Sequence, residues 1–196
     1  MFTSIAIIGR PNVGKSTLFN KLTKTREAIV SDFPGLTKDR NYGYIKLGSI
    51  KSFIIDTGGI GKDESNLSQN ISEQAWMAAN ECNLILFLVD GSENLTSEDF
   101  DILSSLRKLN KPFVTLLNKS DKTSKSEALN DISSKGIKDY LDISAEHSRG
   151  LDDLKKLLIK MLPEKTDEIV PDGKKIAVLG RPNAGKSTFI NNFIKE

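Results

Sequence analysis

Residues 9–16 read Gly9-Arg10-Pro11-Asn12-Val13-Gly14-Lys15-Ser16, with Thr17 next. A G-x-x-x-x-G-K-[ST] run suits one task. Its glycines let the backbone curl until successive N–H groups point inward at phosphate oxygens. Lys15 then reaches the outer phosphates, and the Ser16 hydroxyl is placed to bind Mg²⁺. A helix beginning at Gly14 adds its positive end to the same pocket. The run returns as Gly180-Arg181-Pro182-Asn183-Ala184-Gly185-Lys186-Ser187. A Gly-rich turn beside an exposed lysine would not be expected twice with the same inner Arg-Pro-Asn.

Three further groups follow in chain order. Asp56-Thr57-Gly58-Gly59 ends a run of apolar residues, where Asp56 is positioned to hold Mg²⁺ and the Gly59 N–H to approach a γ-phosphate without side-chain obstruction. Alone, such a run is also an ordinary turn. Asn118-Lys119-Ser120-Asp121 offers a carboxylate to the two parallel donors of guanine, and adenine lacks that arrangement. Asp121 would reject the wrong base by being left buried and unpaired. The Lys119 stem suits the base plane, and Asn118 suits a tie to the phosphate loop. Ser144-Ala145 are small enough for a backbone N–H to reach the guanine O6. Residues 28–40 contain Pro34-Gly35 and mixed charges, the pattern of a mobile loop. Thr37 within it would complete the Mg²⁺ shell, whereas Asp39 and Arg40 read equally well as solvated charges. GTP or GDP with Mg²⁺ is therefore the expected ligand set.

These groups need a scaffold. Residues 5–8, 53–55, 84–89, 113–117 and 140–143 are short apolar or β-branched runs, as in strands covered on both faces. Residues 74–82, 97–109, 125–135 and 151–161 have helical apolar spacing, with Ser97 as a candidate cap and Gly136 as a stop. The alternation predicts an α/β fold of the P-loop NTPase type. Its sheet is doubly wound and mostly parallel, with helices on both faces and ligands at the carboxyl ends of the strands. Residues 1–162 read as one nucleotide-binding domain and the polar 163–174 stretch as a linker. Residues 175–196 read as the truncated start of a second domain, since a strand, a loop and part of a helix cannot bury a core.

Composition bounds the rest. The chain has 196 residues, 38% hydrophobic and 28% charged, with net charge +2. That balance does not point to DNA or RNA. The one cysteine, Cys82, allows no internal disulfide and reads as a buried small residue. His147, the one histidine, reads as a loop residue and not a catalyst. Apolar runs are too short to span a membrane. The start is not basic and runs straight into the loop, so a signal peptide is not expected and the cytoplasm is.

In this order the motifs resemble the TRAFAC-class GTPases. Residues 34–40 (Pro-Gly-Leu-Thr-Lys-Asp-Arg), Asp56-Thr57-Gly58-Gly59-Ile60 and Ser144-Ala145-Glu146-His147 are more specifically similar to the first G domain of the Der (EngA) family. Lys38 stands where that family usually has arginine, which keeps charge but not fork geometry. The resemblance implies two tandem G domains and a GTPase of ribosome biogenesis acting on the large subunit and its rRNA, with no membrane or DNA partner. It assigns Lys15 and Ser16 to phosphate and Mg²⁺, Thr37 and Gly59 to the switches, and Asn118, Lys119 and Asp121 to guanine. Gly180, Gly185, Lys186 and Ser187 would hold phosphates in an intact second domain. Without further motifs of its own, that loop is expected to bind nucleotide negligibly in this chain. Many GTPases orient the attacking water with a glutamine after Asp-x-x-Gly. Ile60 cannot do so, which implies slow intrinsic turnover. In relatives with an apolar residue there, an asparagine like Asn12 ligates K⁺; a hydrogen bond within the loop is the alternative role. An Era-like protein with one G domain and an RNA-binding tail, or a GTP-binding module with negligible hydrolysis, are the competing readings.

Overall fold

The computed structural model describes residues 3–23, 41–57, 73–121, 137, 140–162, 185 and 188. Among them, β1 (Thr3–Ile8) is followed by α1 (Lys15–Leu22), β2 (Asn41–Leu47), β3 (Ile50–Asp56) and α2 (Glu73–Glu81). Then come β4 (Leu84–Asp90), α3 (Ser97–Lys108), β5 (Phe113–Asn118), β6 (Tyr140–Asp142) and α4 (Leu151–Met161). The sheet order is β2-β3-β1-β4-β5-β6. Neighbouring strands from β3 through β6 pair in parallel, and β2 pairs antiparallel with β3.

Side chains alternate across a strand, and the two faces collect separate cores. Ile5 and Ile7 of β1 lie with Leu18 and Leu22 of α1 and Leu154 and Leu158 of α4. Ala6 and Ile8 lie with Ala75 and Ala79 of α2 and Ile102 and Leu106 of α3. Helices therefore cover both faces, which is why the central strands carry apolar residues at consecutive positions. All seven residues of β4 are buried. Each large apolar side chain so covered contributes about 1.5–3 kcal/mol relative to exposure. Cys82 is buried beside this second core.

The edge strand β2 had no counterpart in the apolar runs. Its Tyr42-Gly43-Tyr44 alternates, and it turns back into β3 through Gly48-Ser49, with Leu47 opposite Ile50. Gly48 adopts φ 60°, the conformation that a two-residue hairpin turn requires at its first position. The predicted helix over 125–135 and its stop at Gly136 lie outside the described residues, as do residues 163–174. By its contacts the chain divides into two units, Met1–Thr166 and Asp167–Glu196.

The cap of α3 corrects the sequence expectation. Thr96, not Ser97, is the N-cap. The Asp99 N–H donates to Thr96 Oγ1 at 3.3 Å, and the Thr96 N–H donates back to Asp99 Oδ2 at 3.0 Å. This reciprocal pair satisfies two otherwise orphaned donors, and a serine one residue later has no such geometry. Thr96→Ala should therefore lower folding stability by about 1 kcal/mol. The exposed Ser97→Ala should change it by under about 0.5 kcal/mol. Urea denaturation of both variants checks the assignment.

Candidate nucleotide site

The carboxyl ends of four parallel strands carry the predicted residues. β1 runs out into the Gly9–Ser16 loop, β3 ends on Asp56, β5 ends on Asn118, and β6 leads to Ser144. Pairing in register (Ile7 with Asp56, Asp90 with Asn118) brings the loops to one edge of the sheet.

The phosphate-type loop is held by contacts with the sheet and with β5. Val13 is fully buried and anchors it in the first core. Gly14 caps α1 at φ 101°, a conformation L side chains rarely adopt. A methyl group there would overlap the Asn118 amide, and one at Gly9 would overlap the Leu88 carbonyl. Asn12 also has positive φ, 64°. Its side chain is exposed and has no hydrogen-bond partner among the described residues, so the loop-internal bond finds no acceptor or donor there. Ser16 and Thr17 are exposed at the first turn of α1. Lys15 is buried, and its Nζ donates to the Gly9 and Arg10 carbonyls, each at 2.7 Å. Burial pushes its pKa down, with Arg10 adding to the fall and Asp56 and Glu98 opposing it. An ammonium in that state gains from an arriving anion.

Asn118 joins two loops. Its Nδ2 donates to the Val13 carbonyl at 2.7 Å, and its Oδ1 accepts the Ala145 N–H at 2.9 Å. The Ala145 N–H, a candidate donor to guanine O6, is thus committed to Asn118 in this structure. The Ser144–His147 turn is closed by paired bonds between Ser144 and Arg149, both 3.0 Å. His147 lies in that turn, with Nε2 3.6 Å from Asp121 Oδ2. It is a loop residue, as expected.

Lys119 adopts φ 63°, and its Nζ donates to Asp90 Oδ2 at 2.5 Å. Asp90 was missed by the motif reading. It occupies the end of β4 as Asp56 occupies the end of β3, and that shared position was the available signal. Its Oδ1 accepts from the Ser92 N–H and hydroxyl at 3.0 and 2.6 Å. Burial alone would raise its pKa, but these donors and Lys119 hold it below the ordinary carboxylate value. Thr57 Oγ1 likewise ties the end of β3 to the Ile7 carbonyl at 2.5 Å.

Thr37, Gly59, Gly180, Lys186 and Ser187 lie outside the described residues. In the second unit, Gly185 has φ 77°, the same left-handed sign as Gly14. For Mg²⁺ the donors suit a hard cation: an exposed hydroxyl at Ser16 and a buried carboxylate at Asp56, 2% exposed, both oxygen ligands.

A family model described as "50S ribosome-binding GTPase" matches residues 4–119 and 175–196. GTPase Der of Legionella pneumophila (strain Corby) is 47% identical over 197 residues, covering all of this chain and 43% of that protein. GTPase Der of Geotalea daltonii is 46% identical over 192 residues, covering 97% of this chain and 44% of that protein. The chain thus spans less than half the length of these relatives. Among solved structures, Aquifex aeolicus Era bound to GDP.AlF4⁻ matches with TM-score 0.67 and 32% identity, over 84% of this chain and 58% of that one. Era in complex with MgGDPNP and nucleotides 1506–1542 of 16S ribosomal RNA matches with TM-score 0.66 and 32% identity, over the same shares. A G domain of Thermotoga maritima FeoB, 20% identical at TM-score 0.58, shares the fold.

Two outcomes test the geometry without any ligand. Asn118→Ala leaves the Val13 carbonyl and Ala145 N–H buried and unpaired, and should cost roughly 2–4 kcal/mol in chemical denaturation. Asp90 has a depressed folded pKa, so it contributes stability that is complete above the ordinary carboxylate value and is lost as pH falls through the folded one. Acid unfolding of Asp90→Asn should therefore lose stability less steeply below about pH 4 than the unsubstituted chain.

Proposed function

The chain belongs to the 50S ribosome-binding GTPase family, and from that premise we propose that it binds GTP and GDP and hydrolyses GTP to GDP and phosphate. It does so as the nucleotide-binding part of a ribosome-assembly switch acting on the large subunit in the cytoplasm. Among the described residues, no helix is long and apolar enough to cross a membrane. Residues 1–162 would be the working G domain, 163–174 a linker and 175–196 the start of a second. The observation that carries the reading is the Asn118 bridge, which holds the loop of Lys15 against the loops of Asp121 and Ala145.

In this reading Asp121 accepts both guanine donors while Lys119, held by Asp90, lies along the base. The backbone N–H groups from Val13 to Thr17 and the Lys15 ammonium grip the phosphates. Ser16, Asp56 and Thr37 would hold Mg²⁺, which neutralises charge on the β- and γ-phosphates. The reaction is in-line attack of water on the γ-phosphate, with the Gly59 N–H donating to the developing charge. Ile60 offers no group to orient that water. Asn12, exposed and without a partner among the described residues, would supply the missing positive charge by holding K⁺.

The repeated phosphate loop and its match at 175–196 favour a tandem arrangement over the Era-like alternative. Coding sequence beyond Glu196 would carry a second Asp-x-x-Gly and Asn-Lys-x-Asp if that is so.

Calorimetry should show GTP and GDP bound and ATP not. Equal retention of ATP, or no binding, would end the proposal. Asp121→Asn should weaken GTP roughly a hundredfold and improve binding of xanthosine triphosphate, whose extra carbonyl accepts from the new amide. Single-turnover hydrolysis should run at least about tenfold faster in K⁺ than in Na⁺. Asn12→Ala should abolish that difference, and equal rates in both salts would remove K⁺ from the mechanism.

A further inference from the structure

One side chain of the phosphate loop has no part in the chemistry above. Arg10 is mostly buried, at 17% exposure. Its Nε donates to Asp99 Oδ2 at 3.2 Å, and its Nη2 pairs with Glu93. Both carboxylates lie on the segment that follows β4 and opens α3. Asp99 is 1% exposed and does not move freely, because the same Oδ2 accepts the Thr96 N–H at 3.0 Å and the Thr96 hydroxyl at 2.9 Å. Its other oxygen, Oδ1, is buried without a hydrogen-bond partner among the described residues. Burial would lower the Arg10 pKa, yet Glu93 and Asp99 raise it. The guanidinium is therefore clamped to the N-terminus of α3.

The other end of Arg10 bears on Lys15. The Arg10 carbonyl accepts from Lys15 Nζ at 2.7 Å, alongside the Gly9 carbonyl. A lysine ammonium has three N–H groups. Two are thus held by the loop, and one remains for a phosphate. Pro11 follows Arg10. A residue before proline is confined to extended backbone, and proline fixes the next φ. The anchored side chain and the carbonyl that steers the ammonium are accordingly parts of one stiff unit.

We propose that the Arg10–Asp99 bridge is a positioning device for Lys15: α3, through Arg10, sets where the lysine presents its remaining N–H to the β-phosphate. The proposal rests on the guanine-nucleotide reading above. It predicts dependence on the β-phosphate in particular. A bridge that only braced the fold would affect nucleoside monophosphate and diphosphate alike.

The test is competition of GDP and of GMP against a fluorescent GDP analogue. Arg10→Ala alone leaves a buried carboxylate without its cation and risks the fold. The informative variant is therefore the pair Arg10→Ala with Asp99→Asn, which removes both charges and leaves an amide oxygen for the Thr96 N–H. Its thermal unfolding without nucleotide should stay near that of the unsubstituted chain. It should bind GDP about tenfold more weakly while GMP stays within about twofold, as expected for a displaced charge-assisted hydrogen bond. Arg10→Lys, keeping the charge beside Asp99, should recover GDP binding to within about threefold. Loss of GMP binding equal to that of GDP, or GDP binding by the paired variant within about twofold of the original, overturns the proposal. If the unsubstituted chain does not prefer GDP to ADP, the guanine-nucleotide reading itself has failed.

Discussion

The Asn118 amide is the constraint on which the site depends. An amide side chain has donors on one side and an acceptor on the other. Here the donor side holds the Val13 carbonyl and the acceptor side holds the Ala145 N–H, both buried. No charged residue could do this, because an ammonium only donates and a carboxylate only accepts. Glycine at position 14 is the counterpart of the same contact, since any Cβ there meets the Asn118 amide. The loop of Gly14 and the end of β5 are thus matched in shape as well as in hydrogen bonding, though they lie 104 positions apart.

The sheet makes that match repeatable around the pocket. In a parallel sheet every carboxyl end lies at one edge, so strand ends distant in sequence become neighbours. Asp56, Asp90 and Asn118 are each the last residue of their strand. Each turns a polar group towards that edge while the residues before it are buried on both faces. The apolar strand and the polar terminus are one design: the first supplies rigidity, and the second is held to a fixed place by it. Asp90 illustrates the division. It touches Lys119, the residue after β5, and fixes the lysine head, so that a residue outside any recognised motif sets the posture of one inside.

What was legible follows from what is local. The phosphate loop, the Asp56-Thr57-Gly58-Gly59 run and the two-faced apolar runs are consecutive residues whose physics needs few distant partners. Helices α2, α3 and α4 came out within a residue of their predicted bounds for that reason. Strand β2 did not, because its Tyr42 and Tyr44 are ordinary edge residues whose pairing is decided by β3 across a turn. The α3 cap shifted by one residue because capping depends on whether the chain enters in extended geometry, and Thr96 does, at ψ 165°. Ala145 was read as a place where a backbone N–H could reach guanine O6. Its observed acceptor, Asn118, is a tertiary fact that spacing does not contain. Arg10 belongs in the same class, since its partners Glu93 and Asp99 come from another crossover.

The charges of the site share one pattern, and it bears on how a phosphate ligand would be received. Lys15, Lys119 and Arg10 are each already engaged by protein oxygens: carbonyls for the first, carboxylates for the other two. Of these, Lys15 alone makes its direct contacts with neutral acceptors, and burial pushes its pKa downward. Carbonyls orient an ammonium without neutralising it, so the desolvated charge keeps most of its appetite for an anion. Asp56, close enough to oppose that shift, supplies a negative charge that a triphosphate would otherwise repel. A divalent cation held by Asp56 and Ser16 would offset that repulsion and would add its positive charge to that of Lys15. The arrangement thus favours a ligand bringing both phosphate and a hard cation over one bringing phosphate alone.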